Sequence, residues 1–235
     1  MSGPRVTIRH IADDTPLPAA DAYVVVDVIR ASTTAVTAGL QGRDCYLVRS
    51  VEEARLVAAT LSAPLLAGEV HGDQPADFDL QNSPTELSAR SDVDRPVILL
   101  TSSGSPTMCR AGERAPTWIG SLRNVGPTAD ALREVDEVAI LAASPDELRI
   151  EDAICAARLA LAFGLDGADD ETLRVVHAYG ERDLDQIRTG TSAGYLRRSG
   201  QMADLEFILR HVDDVDLPCS VVDGRVAMMV SDVRS

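Results

Sequence analysis

The chain has 235 residues, enough for one large domain with a sizeable core; 45% are hydrophobic but only 3% aromatic. Such a core must be built from Val, Ile, Leu and Ala, a composition suited to buried parallel strands covered by Ala-rich helices. The formal net charge of -15 argues against nucleic acid or an anionic membrane as partner, because both demand basic surface.

All 22 basic residues are arginine. Without lysine there is neither Schiff-base chemistry nor a lysine-bearing P-loop, so Arg, metal and backbone N–H remain to hold phosphate or carboxylate. Cys45, Cys109, Cys155 and Cys219 are widely spaced and read as small core residues in a reducing compartment. His10, His71, His177 and His211 lack the spacing of a zinc site. No apolar leader opens the chain and no run approaches ~18 apolar residues, which predicts a cytoplasmic protein.

In chain order, Val6 to His10 predicts a first strand and Tyr23 to Val28 a buried second one, followed by a helix to about Gln41. A third strand follows at Cys45 to Arg49. Ser50-Val51-Glu52-Glu53 is a capping box opening a helix through Leu61. Leu65 to Glu69 reads as a strand ending on a carboxylate. The turn-rich stretch from Val70 to Asn82 is too long for a routine connection and is expected to be functional or disordered. It runs into a second capping box, Ser83-Pro84-Thr85-Glu86, with Pro at the first helical position.

Val97 to Leu100 predicts a strand buried on both faces, emptying into a loop over Thr101 to Ser105. Trp118-Ile119, a helix near Thr128 to Arg133 and a strand at Val138 to Ala142 come next. A long Ala-rich helix runs from Ile150 to about Phe163, and a polar helical pattern continues to roughly His211. A closing hairpin is expected over Cys219 to Met229, with Asp223-Gly224 as its turn. Alternating strands and helices predict a layered α/β sheet in one domain over 1–235, with a more helical C-terminal third packed on one side.

Ligands of open α/β sheets bind beyond the carboxyl ends of strands. Five strand ends here carry polar clusters: Asp27 with Arg30, Ser32, Thr33 and Thr34; Glu69; Thr101 to Ser105; Gly120 to Asn124; and Glu151-Asp152. Each alone also reads as ordinary capping or turn chemistry. Together they suit a Mg²⁺ site beside a phosphate. Hard oxygen ligands would come from Asp27, Glu69 and one of Glu151 or Asp152. Ser32, Thr33, Ser102, Ser103 and Gly104 would hold phosphoryl oxygens, with Arg30 as a bidentate clamp. Asn82 and Ser83 after the long loop, and Ser121 and Asn124, complete the candidate binding residues. Asp27, Arg30 and Glu69 are the candidate catalytic set. Asp27 as metal ligand, base or nucleophile stays open at this point.

VVVDVIRASTTAVTA at 24–38, GEVHG at 68–72, DFDLQNSPTEL at 77–87, GSLRN at 120–124 and IEDAICAARLA at 150–160 together resemble the 2-phosphosulfolactate phosphatase (ComB) family. The resemblance implies a three-layer α/β/α fold with a largely parallel or mixed central sheet, and a homodimer. It further implies Mg²⁺-dependent release of phosphate from 2-phospho-3-sulfolactate, a step in coenzyme M biosynthesis. That substrate is small and heavily anionic, and Arg30, joined by Arg123, would meet it. One departure stands out. Where the family has a TTNGT-like loop, this chain has Thr101-Ser102-Ser103-Gly104-Ser105-Pro106, which loses an Asn amide and one backbone donor. Two alternatives therefore stay open: a phosphatase of another small organic phosphate, and a non-catalytic small-anion-binding protein.

Overall fold

In the computed structural model of the chain, the described residues are 3–12 and 14–229. Nine strands form one mixed sheet: β1 (Arg5–Ile11), β2 (Ala22–Val26), β3 (Cys45–Val48), β4 (Leu65–Gly68), β5 (Val97–Leu100), β6 (Thr117–Gly120), β7 (Glu137–Ala143), β8 (Cys219–Val222) and β9 (Arg225–Met228). Between them run α1 (Ala31–Leu40), α2 (Val51–Ala58), α3 (Pro84–Ser88), α4 (Gly104–Gly112), α5 (Val125–Ala131) and α6 (Ile150–Phe163). The C-terminal third adds α7 (Asp170–Tyr179), a 3-10 turn at Leu184–Thr189, α8 (Thr191–Arg198) and α9 (Met202–Arg210). The α/β class and the helical C-terminal third are thus as expected, and both capping serines sit where the sequence puts them. Ser50 accepts from the Glu53 amide, and Ser83 from the Glu86 amide.

The strand order is β1-β7-β2-β6-β8-β9-β3-β5-β4. The β1-β7-β2-β6 strands are mutually parallel, as are β3-β5-β4, and the antiparallel hairpin β8-β9 joins the two groups. The hairpin falls at the predicted residues, with Asp223 and Gly224 both at positive φ as its turn requires. It lies in the middle of the sheet, where β6 and β3 each leave an edge that needs a partner.

Three successive antiparallel pairings make the two parallel groups run in opposite senses. Even so, a Cβ on Gly104, just past β5, would lie 2.5 Å from Asp27 Oδ2, just past β2. Four strands lie between β2 and β5 in the sheet, so a flat sheet would hold those ends at opposite strand-end edges and more than roughly 24 Å apart. The sheet must therefore curl, as accumulated strand twist allows.

The core records that curl. Alternate residues of all nine strands, among them Ile11, Val25, Leu47, Ala67, Leu99, Ile119, Leu141, Cys219 and Val226, share one apolar cluster with α1 and α4. The opposite face splits in two: Val24, Ile140 and their neighbours pack on α6 and the C-terminal helices, while Val48, Ile98 and Leu100 pack on Ala54 of α2. One shared inner face and two separate outer faces follow from a sheet wrapped around α1 and α4.

Helix α4 is a correction, since Thr101 to Ser105 read as a loop and the helix begins within it, at Gly104. Pro106 lies in its first turn, where the missing N–H would have had no helical partner. All four cysteines are free and buried, and burial pushes the Cys45 thiol up to about 12. Among the described residues no helix is long and apolar enough to cross a membrane.

Candidate active site

The curl brings the ends of β2, β4, β5 and β7 around one cavity of about 430 Å³. Asp27 leaves the buried strand β2 and turns at once into α1. Its main-chain oxygen accepts from the Ser32 amide and hydroxyl, both at 2.8 Å, and Oδ1 accepts from the Ala31 amide at 3.3 Å. The Thr33 hydroxyl donates to Val28 O at 2.9 Å. The hydroxyls of Ser32 and Thr33 thus fasten the turn that aims Asp27, and neither residue lines the cavity.

Glu69 arrives from β4 over Gly68, where a Cβ would lie 2.0 Å from Leu100 O. Only glycine lets β4 approach β5 so closely, and the approach sets Glu69 against Ser102. Glu69 Oε1 accepts from the Ser102 amide at 2.7 Å, and Oε2 accepts from the Ser102 hydroxyl and the Gly72 amide, each at 2.6 Å. Ser102 is thereby a tether for Glu69, while Ser103 lines the cavity beside it. The amides of Ser103 and Gly104, at the start of α4, carry no hydrogen bond among the described residues.

From β7 and α6 come Ser144, Arg149, Glu151 and Asp152. Asp152 Oδ1 accepts from the Val28 amide at 2.7 Å, locking α6 to the end of β2. Glu151 is buried, and among the described residues its Oε2 has no hydrogen-bond partner. Burial first, then the charge of Glu69, pushes the Asp27 carboxyl up to about 7. Burial also raises Glu151, and burial with the charges of Glu151 and Asp27 holds Asp152 well above the usual carboxylate range. An orphaned buried carboxylate oxygen among mutually repelling carboxyls is a donor set suited to a hard cation. Among the described residues, however, no three His, Cys, Asp or Glu side chains gather closely enough to hold a metal unaided.

Asp27, Arg30, Glu69, Asn82, Ser102, Ser103, Glu151 and Asp152 of the sequence-predicted set line the cavity together. Gly104 touches Asp27 from behind. Ser83 turns its hydroxyl to Asp204 Oδ1 at 2.6 Å. Ser121 and Asn124 form a buried turn away from the cavity wall, in which Asn124 bridges the Ser121 amide and Ile119 O. Arg123 is buried as well, paired with Asp214 and Thr37.

Residues 10–218 match the sequence pattern of a family described as 2-phosphosulpholactate phosphatase. The chain is 33% identical to the 2-phosphosulfolactate phosphatase of Methanothermobacter thermautotrophicus over 212 residues, covering 88% of this chain and 89% of that protein. It is 32% identical to a probable 2-phosphosulfolactate phosphatase of Thermus thermophilus, with 88% and 90% covered. A similarly named protein of Caldicellulosiruptor saccharolyticus is 29% identical over 91% of this chain and 95% of its own length. The chain belongs to the 2-phosphosulfolactate phosphatase family.

In this family member several cavity residues carry no sequence signal of the kind used above. His71 stands inside the GEVHG segment at positive φ, its amide donating to the Ser102 hydroxyl at 2.6 Å. Its place in that motif was the available clue. Tyr195 and Arg198 come from α8, and Asp204 comes from α9 to meet Arg30. Nothing in the polar helical pattern of 170–211 distinguishes those positions, since any such helix offers charged residues to solvent.

Proposed function

We propose that the chain is a Mg²⁺-dependent phosphomonoester hydrolase that removes phosphate from 2-phosphosulfolactate. The observation that carries the reading is the meeting of Asp27, Glu69 and Glu151 on one cavity with Ser103, whose amide carries no hydrogen bond among the described residues. Acidic oxygens facing free N–H donors suit a phosphoryl group held between a cation and a helix start. Mg²⁺, a homodimer and a cytoplasmic step in coenzyme M biosynthesis, all implied by the family resemblance, belong to this same proposal.

Glu69 and Glu151 are the residues that would hold the ion, with water and phosphoryl oxygens completing the shell. Bound there, Mg²⁺ would draw charge from the phosphoryl oxygens and so lower the barrier to attack. The Ser103 hydroxyl and the Ser103 and Gly104 amides would meet the remaining phosphoryl oxygens. Asp27, with a carboxyl pushed up to about 7, is suited to take a proton at neutral pH. It accepts that proton from a water as the water oxygen bonds to phosphorus. The ester P–O bond breaks, and His71 gives the departing alkoxide its proton, leaving phosphate and 3-sulfolactate.

Purified protein with Mg²⁺ and 2-phosphosulfolactate should release inorganic phosphate, and EDTA should stop it. Asp27→Asn should cut kcat by roughly 10²- to 10⁴-fold. His71→Ala should slow 2-phosphosulfolactate far more than p-nitrophenyl phosphate, whose leaving group needs no proton. A protein that releases no phosphate from any hydroxyacid ester would overturn the reading. Light scattering should give twice the chain mass of 25.1 kDa.

A further inference from the structure

Among the described residues three guanidinium groups line the cavity, and two of them are already neutralised. Arg30 is paired with buried Asp204, and Arg149 with Asp146 and Glu147. Arg198, at the end of α8, lines the same cavity and among the described residues has no ion pair or hydrogen bond to any carboxylate. Its guanidinium folds back over the preceding turn, Nη1 lying 3.3 Å from where a Cβ on Gly194 would be. The helix that carries it is held in place. Tyr195 Oη donates to Gly72 O at 2.5 Å, which seats α8 on the same turn whose Gly72 amide donates to Glu69.

The floor opposite is acidic, with Asp27, Glu69 and Glu151. A phosphate can be reconciled with that floor by a cation and by N–H donors. A second anionic group on the same substrate would be repelled unless it met a positive charge that nothing else already neutralises. Arg198 is that charge, and its planar fork fits a carboxylate or a sulfonate equally.

We propose that Arg198 is a specificity-determining residue, reading the acid groups that the substrate carries besides its phosphate. The inference rests on the hydrolase reading above and deepens it. It makes the preferred substrates phosphate esters of hydroxyacids bearing at least one further strong acid group, over phosphate esters of neutral alcohols.

The test compares Arg198→Gln and Arg198→Lys with the native protein in the presence of Mg²⁺. The readouts are kcat/KM for 2-phosphosulfolactate relative to p-nitrophenyl phosphate, and calorimetric binding of 3-sulfolactate. Losing one charge-assisted contact should lower that specificity ratio roughly 10- to 100-fold in Arg198→Gln, through KM rather than kcat. The 3-sulfolactate affinity should fall in parallel, and Arg198→Lys should recover part of both. An unmoved ratio in an active Arg198→Gln protein overturns the inference and leaves the hydrolase reading intact. Binding of 3-sulfolactate that depends on Arg198, in a protein that hydrolyses neither ester, supports the subsite and overturns the hydrolase reading. Neither hydrolysis nor binding in the native protein overturns both.

Discussion

Asp204 Oδ2 lies 2.6 Å from Arg30 Nη1, and each side chain is 4% exposed. The other Asp204 oxygen accepts from the Ser83 hydroxyl at 2.6 Å and from the Thr85 amide at 3.2 Å. One carboxylate on α9 thus ties together the turn after Asp27 and the start of α3. Arg30 donates to Gln201 as well. Both of these contacts are made through Nη1 of a residue that lines the cavity.

Removing that carboxylate leaves a buried charge without its partner. Asp204→Ala should lower stability by about 3–5 kcal/mol, as broken buried ion pairs do. Ser83→Ala removes two neutral-donor contacts, the hydroxyl's bond to Asp204 and its cap on the Glu86 amide, and should cost less, about 1–2 kcal/mol. Urea unfolding of the two variants checks the order; equal losses would argue against a central role for Asp204.

Gly104→Ala tests the curl of the sheet. The added Cβ would lie 2.4 Å from Ala31 Cβ and 2.5 Å from Asp27 Oδ2, so α4 and α1 would have to separate. A loss of about 1–3 kcal/mol is expected from such overpacking. Activity should fall with it, because the displaced atom belongs to Asp27. Thermal unfolding and kcat on the same variant measure both.

Asp27 makes metal-free stability depend on pH. Its carboxyl is raised from an unfolded value of 3.8 to about 7, chiefly by burial and then by Glu69. Between those values the native state keeps a proton that the unfolded state has released. Stability is therefore fully present below the unfolded value and is lost as pH rises toward about 7. The loss is on the order of 4 kcal/mol if the full shift is expressed. In EDTA the native protein should melt lower at pH 8 than at pH 5, and Asp27→Asn should flatten that difference. Added Mg²⁺ should raise the melting temperature most at the higher pH, where the carboxyls are charged.

Asn124→Ala separates scaffold from site. Its amide bridges the Ser121 N–H and Ile119 O, both buried. Losing both contacts should cost about 2–3 kcal/mol. Because the side chain stands away from the cavity, KM for a phosphoester should move little. A tenfold rise in KM at unchanged stability would return Asn124 to the binding wall.

Much of this molecule is determined by its sequence alone. Short β-branched and apolar runs such as Val24 to Val26 and Val97 to Leu100 point to buried strands, and Ser50 and Ser83 mark helix starts, because these signals are local. Polar residues at strand ends likewise single out Asp27, Glu69, Ser103 and Glu151, which line one cavity. The tertiary structure decided the rest. A hairpin signal at Asp223-Gly224 does not say which strand edges it will join, so its central place and the opposed senses of the two parallel groups were not legible. Hydroxyl residues at a helix start look alike whether they face a ligand or their own turn, so only packing separated Ser103 from Ser32, Thr33 and Ser121. Asp204 and Arg198 lie more than 100 residues from Asp27. No short-range pattern records an ion pair or a cavity wall closed over that distance; both exist only because the fold brings the C-terminal helices against the end of β2.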